Sequence, residues 1–524
     1  MRRLTPLLAV SLLASCTTLV PQYERPAPAV PQNWPAGSAT LAANEVDLAQ
    51  LRYQDIFRDP RLQRLIEQGL SNNRNLASAA ADIRAARAQY RIQRSSLIPD
   101  LSANGGVNIG YGARGAAPGL GTGAATGDPV TGTPTTGTPT TGTPTTGTPV
   151  AGTGGGSDFS TYYTASVGST AFEIDLFGRL AALNEAALDE YFATESAARS
   201  VRLTLVGDIA RAWATYAADA ELAAIARDTA ESAQRSVDLT RARLEGGYSP
   251  RTELRQAESV LFTARSDLAA AREALVQDEN ALRLLVGAEP DAADLPDGLA
   301  ALNTAFGAVP AGIDSSVLLR RPDIVAAEYR LQAANARIGA ARAALFPRIS
   351  LTALLGIGST SLTGLFAGDN FQAALRPGIG VPIFDGGARR GGVALARAQE
   401  ESLVAGYQFA VQTAFREVAD ALATRGAIDD RLGADQRQVA AALDNYELNQ
   451  ARYRGGIDTF LTTLDAQRTL YAARRRLAGT ELADAISLAD LYVALGGDGG
   501  LASRPIEADT VAADPAAAAD APEG

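Results

Sequence analysis

The chain has 524 residues, 46% of them apolar, and a formal net charge of −11, an acidic balance that argues against a nucleic-acid partner. It has no His, all 47 basic residues are Arg, its one Cys is Cys16 and its one Met is the first residue. Without His or a second thiol there is no His–Cys metal cluster and no Ser-His or Cys-His nucleophilic pair. Chemistry by carboxylates alone or by Tyr and Arg stays open to such a chain, but neither an enzyme nor a carrier of a metal or cofactor is expected.

Residues 1–15 read as a signal peptide: Arg2-Arg3, an apolar run from Leu7 to Leu13, then Leu13-Ala14-Ser15 ahead of Cys16. Leu-Ala-Ser-Cys resembles the bacterial lipoprotein box, which implies that Cys16 is acylated and becomes the N-terminus. Thr17, standing where Asp would retain the protein elsewhere, implies sorting to the outer membrane. Residues 16–50 contain Pro21, Pro26, Pro28, Pro31 and Pro35 and read as an extended, lipid-tethered strap with no fold of its own.

A first repeat is expected over 51–287. Its opening helical pattern, 51–97, runs through Leu62, Leu65, Ile66 and Leu70, breaks at Ser71-Asn72-Asn73, resumes through Leu76, Ile83, Tyr90 and Leu97, and ends at Pro99. The period then changes to two. Val107, Ile109 and Tyr111 alternate with Asn108 and Gly110, and Tyr163 to Ala171 alternate with Thr164, Ser166, Gly168 and Thr170. This predicts a pair of membrane strands over about 100–178. The loop joining them, 112–158, is of low complexity and includes four Thr-Gly-Thr-Pro-Thr pentads from Thr131 to Val150, the last closing on Val; such a segment has little to bury and is expected to be mobile.

Helical pattern returns over 180–286. No Pro occurs from Leu180 to Glu245, a run of about 100 Å at 1.5 Å per residue. Gly246-Gly247 interrupts it, as two unrestrained residues end a helix and turn a hairpin. Beyond the turn, Leu254, Leu261, Leu268, Leu275 and Leu282 recur every seven residues, with Ala257, Ala264 and Ala271 three further on. That seam predicts left-handed coiled-coil packing.

An Asp/Ala/Pro-rich connector, 288–312, leads to a second repeat over 313–497. It has helices at 313–345 and 388–495 around a strand pair at about 346–386, where Ile349, Leu351, Ala353, Leu355 and Ile357, then Ala373, Leu375, Ile379, Val381 and Ile383, mark the apolar alternation. Its second hairpin turns at Gly455-Gly456, and Leu470, Leu477 and Leu491 continue the seam. Gly246 and Gly455 are 209 apart, as are Gly287 and Gly496, so one half of the chain copies the other. Pro99 and Pro347 are 248 apart, and the excess (248 − 209 = 39) is the low-complexity insertion. The tail, 498–524, is acidic, Ala/Pro-rich and expected to be disordered.

Strands of about ten residues cross a bilayer when tilted. Four of them cannot close a barrel, and open sheet edges do not persist in hydrocarbon. Strands must therefore be pooled between chains, giving eight, twelve or sixteen from two, three or four copies. Composition does not choose among these.

The ordered motifs make the choice by resemblance. Pro21-Gln22-Tyr23-Glu24-Arg25-Pro26, Phe57-Arg58-Asp59-Pro60, Glu173-Ile174-Asp175-Leu176-Phe177-Gly178-Arg179, Leu318-Leu319-Arg320-Arg321-Pro322-Asp323-Ile324, Pro382-Ile383-Phe384-Asp385-Gly386-Gly387 and the hairpin Tyr453–Arg468 together resemble the outer-membrane factor family, the TolC-like and NodT-type efflux lipoproteins. The resemblance runs from Pro21 to Gly497. It implies an α+β membrane protein of the Gram-negative outer membrane, a homotrimer whose 12-stranded barrel continues into a long periplasmic coiled-coil barrel. It further implies a periplasmic adaptor and an inner-membrane transporter, proton-driven, as partners. The Asp175–Arg179 and Phe384–Gly387 motifs are read as chain turns, and Arg320–Ile324 as a helix start with Pro322 in its first turn.

The same resemblance places functional residues. Leu461, Asp465 and Arg468 fall where the family's periplasmic aperture is narrowest, and they share one helix side by their spacing. Tyr453 matches the hairpin tyrosine that holds the closed state, with Arg468 and Arg454 as candidate partners for Asp465. Gly246, Gly247, Gly455 and Gly456 become the adaptor-docking tips. Three function classes compete: an efflux duct for small toxic compounds, a duct for protein or peptide secretion, and a structural coiled-coil lipoprotein. The strand pairs speak against the last, and the lipoprotein box and Arg-Arg-Pro-Asp-Ile motif favour the first by analogy.

Overall fold

A computed structural model of the chain describes residues 18–31, 33–34, 52–113, 157–307 and 315–497. The signal segment, Cys16, the Thr131–Val150 pentads and the acidic tail lie outside them. The chain divides into two compact units. One holds Ser95–Phe177 and Phe346–Asp385; the other holds Thr17–Arg94, Gly178–Leu345 and the chain from Gly386.

The first unit is one antiparallel sheet, β1 (Ser102–Ala113), β2 (Ser157–Ile174), β3 (Arg348–Ser359) and β4 (Phe371–Gly380), in that order. The two copies meet at the β2–β3 ladder, where Val167 faces Leu355 and Ile174 faces Ile349. Three strands exceed the expected ten residues, with 12 in β1, 18 in β2 and 12 in β3. The extra length of β2 includes a bulge between Ser169 and Phe172, with Ala171 at φ 56° and its N–H donated to Thr352 Oγ1 at 3.1 Å. A bulge slips the pleat, which is why the simple alternation read through Ala171 does not continue. Among the described residues the outer edges of β1 and β4 have no partner strand, and Val107, Ile109, Leu375 and Ile379 stand exposed.

The second unit is helical. The opening segment, expected as a helix with one break, is three: α1 (Tyr53–Ile56), α2 (Pro60–Asn72) and α3 (Arg74–Ser95). Asp59 caps α2 by accepting the Arg61 N–H at 2.8 Å, with Pro60 in the first turn. Asn73 bridges two helix ends: its Oδ1 accepts from Leu76 N at 3.0 Å, and its Nδ2 donates to Leu285 O at 2.8 Å. The first hairpin is α4 (Arg179–Glu245) and α5 (Arg251–Val286); the second is α8 (Ala388–Arg454) and α9 (Phe460–Ala494). Between them come a short α6 (Leu302–Ala305) and α7 (Pro322–Ala343), the latter preceded by a 3-10 turn over Ser315–Arg320.

α4 and α8 each have 67 residues, about 100 Å of helix. α4 packs on α5, α7 and α9, and α8 on α7 and α9. Small residues allow the close approach, as where Ala186 of α4 meets Ala333 and Ala336 of α7. The heptad seam of α5 is buried at Leu254, Leu261 and Leu282, whereas Leu268 and Leu275 are half-buried in the single chain.

The segment expected as the connector, in its described part 288–307, contributes to the core. Leu299, Leu302 and Ala305 are buried with Trp213, Tyr407, Tyr492 and Phe57, each large side chain contributing roughly 1.5–3 kcal/mol. Trp213 Nε1 donates to Asp294 O at 2.9 Å, and Arg64 Nε donates to Asp294 Oδ1 at 2.8 Å. Phe57 pairs with Phe306 as an isolated antiparallel bridge. Apolar residues too sparse to show a period still fill this core, because the segment packs by single side chains and not by a face.

Candidate functional site

The two hairpin ends are built alike. At the end of α4, Gly247 N donates to Leu244 O at 3.0 Å and Tyr248 N to Arg243 O at 2.8 Å; at the end of α8, Gly456 N donates to Tyr453 O at 3.0 Å and Ile457 N to Arg452 O at 2.9 Å. This double bond pattern closes a helix on a left-handed residue, and only Gly adopts it without strain: φ is 78° at Gly247 and 72° at Gly456. Gly246 and Gly455, at φ −76° and −75°, remain right-handed. Both turns present apolar side chains to solvent, Tyr248 and Ile457.

Above the second turn, Tyr453 is buried between the hairpins. Its ring lies 5.4 Å from that of Phe460, and its hydroxyl is 3.3 Å from Thr240 Oγ1. The Arg243 guanidinium stands over the ring at 4.2 Å and donates to the carbonyls of Tyr453 at 2.8 Å and Arg454 at 3.2 Å. Arg243 thus caps the C-terminus of α8, where carbonyls lack helical partners and positive charge is favoured. Two more tyrosines join the hairpins. Tyr446 and Ser232 share a hydroxyl–hydroxyl bond of 2.7 Å, and the Tyr471 hydroxyl donates to Asp267 Oδ2 at 2.9 Å. Burial, and then Asp267, push the Tyr471 phenol up to about 12.

Leu461, Asp465 and Arg468 all face outward from α9, while Thr463, Leu464, Ala466, Gln467 and Leu470 on the other side are buried. Leu461 is 58% exposed, which leaves an apolar side chain beside two charges. Among the described residues neither Arg468 nor Arg454 forms an ion pair with Asp465. Cys16 lies outside the described residues.

Sequence reasoning missed Arg243 and Thr240. The signal was present in the 209-residue offset, which makes Arg243 the equivalent of Arg452. Arg452 is held by Asp458 of its own turn, Nε to Oδ2 at 2.5 Å, but the position equivalent to Asp458 is Ser249. With no acid in its own turn, Arg243 reaches across to the other hairpin.

The structural motifs behave as read. Gly178, Gly386 and Gly387 take φ of 72°, 62° and 90° where chain turns precede α4 and α8. Pro322 opens α7, and buried Arg321 donates to Asp323, pairs with Glu417 at 2.9 Å and donates to Ala494 O at 2.8 Å.

A sheet that needs further strands to close, in a chain with two long helical hairpins, defines a protomer of an oligomeric membrane channel. The chain belongs to the outer membrane efflux protein family, which its residues 65–288 and 314–497 match. It is 38% identical to the toluene efflux pump outer membrane protein TtgC of Pseudomonas putida over 93% of each chain. It is 34% identical to the outer membrane protein OprJ of Pseudomonas aeruginosa over 94% of this chain and 95% of that one. Among solved structures it resembles the open state of the MtrE outer membrane channel of Neisseria gonorrhoeae, with a TM-score of 0.76, 32% identity, and 92% and 98% of the two chains covered.

Proposed function

We propose that this protein is the outer-membrane exit duct of a tripartite pump that exports small toxic compounds. The observation that carries the reading is the four-stranded sheet whose two edges have no partner strand among the described residues and whose apolar side chains stand exposed. In a bilayer such edges require closure by further copies, and three copies give twelve strands. The relatives named above serve a toluene pump and an outer membrane channel, which favours organic toxicants over proteins as cargo. Transport here is passive conduction, and the driving reaction belongs to an inner-membrane transporter, proton-coupled, reached through a periplasmic adaptor.

Within that duct, Leu461, Asp465 and Arg468 line the periplasmic aperture, with Tyr453 holding its hairpin closed. Gly246, Gly247, Gly455 and Gly456 form the ends that meet the adaptor, and Cys16 carries the lipid. The test is complementation: a Gram-negative strain lacking its own outer-membrane efflux channel should regain tolerance to organic solvents and hydrophobic antibiotics. Restored secretion of a protein substrate without restored solvent tolerance would reject the cargo assignment.

A further inference from the structure

The strap does not hang free. Its residues 19–25 run antiparallel to α7 and meet one stripe of it. Arg342 Nη1 donates to Leu19 O at 3.4 Å, Asn335 Nδ2 donates to Pro21 O at 2.8 Å, and Arg25 Nε donates to Glu328 Oε1 at 2.7 Å. Val20 passes over Gly339 so closely that a Cβ there would stand 2.7 Å from Val20 Cα and 2.9 Å from its N. Positions 328, 335, 339 and 342 share one side of the helix. From Arg342 to Glu328 the helix rises about 21 Å, and an extended chain from Leu19 to Arg25 spans about 20 Å. The helix rise and the strap length therefore match from one end of the contact to the other.

The strap then crosses to α8. Burial, followed by Glu328, pushes the Tyr23 phenol up to about 12, and the hydroxyl of Tyr407 of α8, 1% exposed, has no hydrogen-bond partner among the described residues. Further on, the Trp34 ring stacks on Phe415 at 4.9 Å.

The duplication supplies an internal control. At an offset of 248 the equivalent of α7 is α3, with Leu76 matching Ile324 and Ile83 matching Leu331. The counterparts of Glu328, Asn335 and Gly339 are Ala80, Arg87 and Arg91. The acid that pairs with Arg25 is missing there, and a long side chain occupies the place of the glycine notch. Only Arg342 keeps its type, as Arg94.

We propose that this stripe of α7 is a built peptide-recognition groove for residues 19–25, that the equivalent face of α3 has lost or never acquired it, and that the strap so bound fastens α7 to α8. The strap's place is then encoded in side chains, and not in the length of a tether to the membrane. The two helices of common origin thus differ in this face, and the strap marks one of them.

Trp34 provides the readout, because the only other tryptophan, Trp213, is fully buried and out of reach of a water-borne quencher. On the full chain in detergent, acrylamide quenching of tryptophan fluorescence should rise severalfold in Gly339→Leu, with a red-shifted emission maximum. Arg25→Ala changes only the strap, so it serves if Gly339→Leu does not fold, and a smaller rise in the same direction is expected. Arg91→Leu on α3, and Cys16→Ser at the tether, should leave quenching unchanged. Wild-type quenching in both Gly339→Leu and Arg25→Ala would overturn the proposal. So would an equal rise in Arg91→Leu, or a full rise in Cys16→Ser alone, which would assign the strap's position to the lipid.

Discussion

Arg243, near the end of the first hairpin's long helix, closes over Tyr453 of the second: its guanidinium lies 4.2 Å from the ring and 2.8 Å from that residue's own carbonyl oxygen. One side chain therefore performs two tasks, a cation–π contact and a helix C-cap, across the two halves of the repeat. Removing it should loosen the second hairpin without disturbing the first. The half-exposed setting moderates each contribution, and together they amount to roughly 1–2 kcal/mol. Arg243→Ala is expected to speed amide hydrogen exchange over 451–457 about tenfold while leaving 242–248 near wild type. Arg243→Lys keeps charge but loses the planar fork, and should fall between. Equal protection in Arg243→Ala and wild type would remove Arg243 from the clamp.

The turns allow docking to be tested apart from folding. A side chain at Gly456 is strained by its φ of 72°, at a cost of about 1 kcal/mol. At Gly455 φ is −75° and a Cβ would come no closer than 3.5 Å to Ala451 O, ordinary contact. Gly455→Leu should accordingly preserve oligomer yield and thermal stability yet abolish export in the complementation assay, with loss of adaptor crosslinking at this turn. Full export by Gly455→Leu would place the docking end elsewhere.

Between the hairpins' two ends, α4 and α5 carry a carboxyl pair with a pH consequence. Asp278 is half-buried against Asp219, one of its oxygens is out of water, and burial and then the Asp219 charge push its carboxyl up to about 7. A carboxyl whose pKa is raised on folding holds a proton that the unfolded chain has released. Its stabilising effect is complete below the ordinary carboxylate range and is lost as pH rises to about 7. Thermal melts should therefore show stability falling between about pH 4 and pH 7 from this pair. Asp278→Asn should flatten that slope and raise the melting temperature at pH 8. A slope identical to wild type would show that the pair is ionised in the folded protein.

These elements were legible to different degrees. Hairpins, turns and strand pairs could be placed because duplication states each of them twice, so that Gly246 and Gly455 vouch for one another. The bulge at Ala171 was not legible, since a register slip leaves no mark on composition. The core contribution of residues 288–307 was hidden for a related reason: Leu299 and Leu302 enter the core from 3-10 and one-turn helices, which have no periodicity to detect. Arg243 was hidden because its copy, Arg452, is an equally ordinary arginine at a helix end. What separated them was one residue six positions on, Ser249 against Asp458.

Asp465 offers the sharpest test of the aperture. It sits in the outward stripe of α9 between Leu461 and Arg468, and among the described residues neither Arg468 nor Arg454 pairs with it. A simple surface ion pair at this spacing would contribute only a few tenths of a kcal/mol, and the pair is not formed. If three copies surround a bore, this stripe contributes a ring of three carboxylates next to a ring of three leucines. The position three residues earlier is Thr462, whose hydroxyl donates to Thr459 O at 2.9 Å, so a single acidic ring is expected. Such a ring attracts cations and lets multivalent ones lodge. With roughly 0.5 kcal/mol from each exposed carboxylate, three supply about 1.5 kcal/mol, or about tenfold in affinity. In planar bilayers Asp465→Ala should therefore weaken block by a trivalent cation about tenfold and raise the resting single-channel conductance, whereas Asp465→Asn should relieve block with little change in width. Asp465→Arg should reverse the preference towards anions. If conductance, block and ion preference all match wild type in these variants, the stripe does not line the bore, and the exposed Leu461 must be covered by a neighbouring chain instead.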